Sequence, residues 1–143
     1  MARLRLILMV LLAGAVSLAA GLAVNWLTDL TPCQGEGLAC NIDAAIGGYG
    51  VIILAGAGTI IFIVTLLVAR SRKALAIALA VLLVPLLLIF LVTQVEHSST
   101  IGFEPYRQFR TVLVMILPPT LAVVIQFLIL RLVIPAAPAV PTP

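Results

Sequence analysis

Charge is scarce in this chain: only 9% of its 143 residues are Asp, Glu, Lys or Arg, against about a quarter in an ordinary soluble domain. Four long stretches hold no Asp, Glu, Lys, Arg or His: Leu6–Val24, Ile46–Ala69, Ala74–Val95 and Val112–Leu130, the last running past Arg131 to Ile134. Intramembrane acids, bases and histidines mark proton relays and substrate counter-ions. Their absence argues against a proton-coupled transporter and against drug exporters that depend on an embedded carboxylate. His97 is the single histidine, and Cys33 and Cys40 are the two cysteines. That set lacks the four ligands of a structural zinc site, so no metal and no cofactor is expected. Basic residues form no patch beyond the ends of the apolar runs, which leaves nothing for a nucleic-acid backbone to meet. No phosphate-binding loop, heptad pattern or long internal repeat is present.

What fills the chain instead is hydrocarbon. Hydrophobic residues make up 64% of it, with a mean hydropathy of +1.33. Each uncharged run is about 19 residues or longer, and a helix needs about 20 to cross a hydrocarbon core of ~30 Å. Backbone groups in lipid must bond within their own segment, so such runs form helices. The expectation is an all-α integral membrane protein with four transmembrane helices at about 6–24, 46–69, 74–95 and 112–134. Residues 1–134 then form one domain with loops at 25–45 and 96–111, and 135–143 form a Pro-rich tail.

The few charges orient it. Arg3, Arg5, Arg70, Arg72, Lys73 and Arg131 flank one set of helix ends, whereas all five acids lie in the other two loops beside only Arg107 and Arg110. Basic residues stay on the cytoplasmic side, which predicts an N-in, C-in topology. Trp26, Tyr49, Phe103, Tyr106 and Phe109 lie at the opposite ends, where aromatic rings favour the headgroup zone. The segment FEPYRQFR (103–110) reads as a short interfacial helix or an irregular loop. Met1–Ala23 also resembles a secretory signal, with small residues before Ala19 and Ala23. Its apolar run exceeds the usual signal core of about 7–15 residues, so a retained helix is expected.

Small residues point to where helices meet. Ala13, Ser17 and Gly21 recur at spacings of four in the first run. Gly47, Gly48, Gly50, Gly56 and Gly58 enrich the second, and Ala74/Ala78 and Ala76/Ala80 pair in the third. Such positions allow close backbone approach. Pro85, Pro118 and Pro119 fall well inside their runs, and Gln126 is the most polar residue of any span. Together with Gly56 and Gly58 they form a candidate midplane site. Gln126 should find an interhelical partner, and packing rather than ligand contact is its expected role.

Cys33 and Cys40 fall in the loop placed outside, an oxidising compartment in bacteria. A disulfide is expected there, worth about 2–3 kcal/mol for a loop this short. Four helices, both termini inside and cysteines in the first outer loop resemble the quinone-linked disulfide-generating membrane oxidases. That family carries Cys-x-x-Cys in the first loop and a second pair in the other outer loop. Here six residues separate the cysteines and 96–111 contains none. The resemblance covers topology alone. The leading functional expectation is a non-catalytic accessory or assembly subunit in the bacterial inner membrane, its partners the bilayer and another membrane protein or itself. A binding or transport protein for an apolar or neutral solute, and a membrane thiol oxidoreductase, are the alternatives.

Overall fold

The computed structural model describes residues 2–30, 37–69, 71–100, 109 and 112–134, with backbone alone at 2, 37–41, 43, 89–90 and 92–100. They form α1 (Ala2–Asp29), α2 (Gly37–Val68), α3 (Arg72–Thr100) and α4 (Leu117–Val133), the last preceded by a π-helical turn at Val112–Ile116. Successive helices run in opposite directions and pack into a bundle. Three of them are long and apolar enough to cross a membrane, over Arg3–Asp29, Ala44–Val68 and Val112–Val133.

Helix ends differ from the expected loops. The stretch 25–45 was expected to be loop, yet α1 continues to Asp29 and α2 begins at Gly37. Likewise 96–100 continue α3 rather than opening a loop. At 1.5 Å per residue, α1 and α2 are about 42 and 48 Å long. Those lengths reach through the headgroup zone, where the full bilayer measures about 40–45 Å. Polar residues at that depth still close backbone hydrogen bonds, so helix persists where hydropathy fades. Thr28 donates its hydroxyl to the carbonyl of Asn25 at 2.9 Å, keeping the last turn of α1 closed.

Pro118 and Pro119, well inside the fourth apolar run, open a helix and do not interrupt one. They occupy the first turn of α4, directly after the π turn. Proline's fixed φ suits the start of a helix, and its missing N–H falls where the π turn passes into α-helix. Pro85, by contrast, lies inside α3, and the helix runs on through it. At its far end α4 stops at Ile134, whose backbone is extended at φ −84°, ψ 119°, as expected for a residue preceding proline.

α1, α2 and α4 make the most extensive mutual contacts, and α3 packs on α2 and α4. The hydrophobic core runs through Val10 and Ala13, Phe62 and Leu66, Leu75, Ala78 and Leu82, and Val123 and Leu130. Only 28–33% of the most apolar stretch of each crossing helix is buried. Leu12, Ile53, Ile60 and Leu132, each more than 60% exposed, belong to the outward surface. So much outward-facing apolar area fits a membrane protein.

A candidate site of two buried amide clusters

Two polar clusters interrupt the apolar interior. They lie at Gly47 and at Gly58–Thr59 of α2, about 16 Å apart along that helix.

The deeper cluster is built on Gln126, which is fully buried although α4 places it among Ala122, Val123 and Leu130. Its Nε2 donates to Thr59 Oγ1 at 2.8 Å. Thr59 in turn donates to the carbonyl of Ala55 at 2.7 Å, the local bond that lets a hydroxyl rest inside a helix. Ser17 does the same with Gly14, at 2.8 Å. Glycine makes room for this chain of bonds. A Cβ at Gly14 would collide with Thr59 Oγ1, and one at Gly58 would lie 2.8 Å from Gln126 Oε1. That Oε1 is buried without a hydrogen-bond partner among the described residues. An unmade bond of this kind costs about 1–3 kcal/mol, so Gln126 is held by one good bond and opposed by one missing one.

The second cluster joins α1, α2 and the π turn. Asn25 Nδ2 donates to the carbonyl of Ala44 at 3.2 Å, and its buried Oδ1 has no partner among the described residues. Both Asn25 Oδ1 and the carbonyl oxygen of Val114 press on Gly47, where a Cβ would overlap them. The Val114 oxygen is available because of the two prolines. Its α-helical donor would be the N–H of residue 118 and its π-helical donor that of residue 119, and proline has neither. A carbonyl left so can rest against a glycine Cα–H, a weak but favourable contact. The Pro-Pro pair, the π turn and Gly47 are thus one arrangement.

The residues singled out from sequence fall on different sides of the bundle. Ala13, Ser17 and Gly21 face its interior; a Cβ at Gly21 would stand 2.7 Å from Val51 and 2.9 Å from Ala122. Gly48 and Gly50 are half-buried beside Asn25 and Pro119. Gly58, Pro118, Pro119 and Gln126 are buried, whereas Pro85 and Gly56 are exposed, and a Cβ at Gly56 would meet nothing within 4 Å. Cys33 lies outside the described residues. Cys40 stands in the opening turns of α2, but its side chain also lies outside the described residues, so the structure gives no support to a disulfide. The side chain of His97, residues 103–108 and 110 of FEPYRQFR and the 135–143 tail are likewise outside the described residues. Asn25 belongs to this cluster although its place in the expected 25–45 loop gave it no such role. The signal that could have found it is a lone amide three residues before Thr28, continuing the small-residue face of α1.

At the other end of the bundle, Arg72 ties α3 to α4. Its Nε and Nη2 donate to the carbonyl of Ile134 at 3.1 and 2.8 Å, a cation on the negative end of a helix. Among the described residues no group of three or more His, Cys, Asp or Glu could hold a metal. No protein-family profile, curated protein or solved structure matches this chain.

Proposed function

We propose that this chain is a four-span protein of the bacterial inner membrane, with both termini cytoplasmic, serving as a non-catalytic accessory or assembly subunit. One observation carries the reading. Interior glycines are filled by neighbouring helices, whereas Gly56 opens outward in the middle of α2. It is flanked on that exposed surface by Ile52, Ile53 and Ile60. A glycine notch in an isoleucine ridge lets a partner helix approach closely, the packing that replaces a hydrophobic drive in lipid. Ala76 and Ala80 of α3, both exposed, offer a second such place, while their neighbour Ala78 faces the core.

The amide clusters support the same reading. A solute site at Gln126 would need space beside Oε1, and that atom is buried, so close to Gly58 that a Cβ there would stand 2.8 Å from it. On this account the clusters fix which helix faces which and set their register, as buried amides do in coiled coils. Cys33 and Cys40, the latter in the opening turns of α2, are proposed to lie outside the cytoplasm and to be joined by a disulfide. The test is affinity purification in mild detergent. A stoichiometric membrane-protein partner supports the proposal, and a lone monomer obtained under the gentlest extraction counts against it.

A further inference from the structure

We propose that the groove between α2 and α3 holds one acyl chain of an anionic phospholipid, with the phosphate at Ser71 and Lys73. The groove measures about 390 Å3 and is walled by Ile61, Thr65 and Ala69 on α2 and by Ala74, Ala78 and Val81 on α3. Alanine on both walls creates it, and Thr65 is the one polar residue among these six. An occupant must therefore be hydrocarbon.

Size separates the hydrocarbon occupants. From Ile61 to Ala69 the α2 wall is about 12 Å long. A partner helix enters a groove by a ridge of side chains that runs along several turns, and this wall spans little more than two. A single lipid tail is slim enough to enter, and the volume lies within the range of about 300–1,000 Å3 for sites that hold small molecules.

Charge then selects the headgroup. Ala69 and Ala74 flank the turn that bears Ser71, Arg72 and Lys73, so the groove runs directly to it. Arg72 is turned to Ile134, whereas Lys73 is exposed. Ser71 Oγ accepts the N–H of Ala74 at 3.2 Å and marks the start of α3, where the first backbone N–H groups lack helical partners and favour an anion. A basic side chain next to an anionic headgroup is worth about fivefold in affinity.

Native mass spectrometry of the full chain in mild detergent tests this. The protein is mixed with equimolar phosphatidylglycerol and phosphatidylcholine of identical tails. One bound lipid is expected, with the glycerol headgroup favoured about fivefold or more. Lys73→Gln should bring that ratio close to one while the phosphatidylcholine adduct persists. Ala74→Phe, which fills the groove, should cut both adducts severalfold. Ala69→Phe, at an exposed position on the opposite wall, serves if Ala74→Phe fails to fold by circular dichroism. The proposal is overturned if Lys73→Gln keeps the preference or if the folded groove-filling variant retains its lipid. A second copy of the chain that is displaced by groove filling would overturn it equally.

Discussion

Replacing Gly47 and Gly56 by alanine, one at a time, separates a glycine that the fold requires from one that it does not. Both lie in α2, nine residues apart, and either change removes the intrinsic helix penalty of glycine, about 0.5–1 kcal/mol. At Gly56 nothing stands within 4 Å of the added methyl, so the gain should appear as stabilisation of that size. At Gly47 the methyl meets the Val114 carbonyl and Asn25 Oδ1. The carbonyl belongs to backbone held by Pro118 and Pro119, so it cannot swing away as a side-chain tip would. Overpacking of this kind costs about 1–3 kcal/mol, leaving Gly47→Ala about 0–2.5 kcal/mol below wild type and, because the helix gain is common to both, about 1–3 kcal/mol below Gly56→Ala. Trp26, the only tryptophan, gives a fluorescence signal for unfolding by increasing SDS mole fraction in mixed micelles. Equal midpoints for the two variants would refute the reasoning, because they would mean that the π turn does not bear on Gly47.

The same titration tests Gln126. Gln126→Leu loses the bond to Thr59, worth about 0.6 and at most about 1.7 kcal/mol in a membrane, but also removes the unpaired Oε1. Its midpoint should stay within about 1 kcal/mol of wild type, while Gln126→Ala, which leaves a cavity, should lose about 2–4 kcal/mol; equal losses would contradict this. Arg72→Ala should cost less than about 1 kcal/mol, as exposed charged contacts do, yet speed amide exchange in the last turn of α4, and unchanged exchange there would count against the tie to Ile134. A membrane-impermeant maleimide applied to intact cells should label neither Cys33 nor Cys40 before reduction and both after it. Labelling without reduction would remove the disulfide, and no labelling after reduction would remove the outward placement.

Long apolar runs were legible because a span must be hydrophobic whatever it packs against. The same requirement hides which way each side chain points. Gly56 and Gly58 are two residues apart in one AGAG stretch and look alike in sequence, yet one opens outward and the other closes on Gln126. A soluble helix would betray its inner face by polarity on the outer one; here lipid and core make the same demand. Asn25 was hidden for a different reason. Hydropathy reports where hydrocarbon ends, whereas the helix ends farther out, so an amide at headgroup depth reads as loop. Pro118 and Pro119 announced an irregularity but not its form, because a freed carbonyl permits a kink or a π turn equally, and nothing local shows that it meets Gly47 on another helix.

The central claim is that the outward face of α2 around Gly56 receives a partner helix. A photoreactive amino acid at Ile53, beside that notch, can be compared in living cells with one at Leu12 on the exposed surface of α1. The account predicts a discrete protein adduct from Ile53 that disappears on Gly56→Leu, with none from Leu12. Adducts of lipid alone from Ile53, or the same protein adducts from both positions, would contradict it.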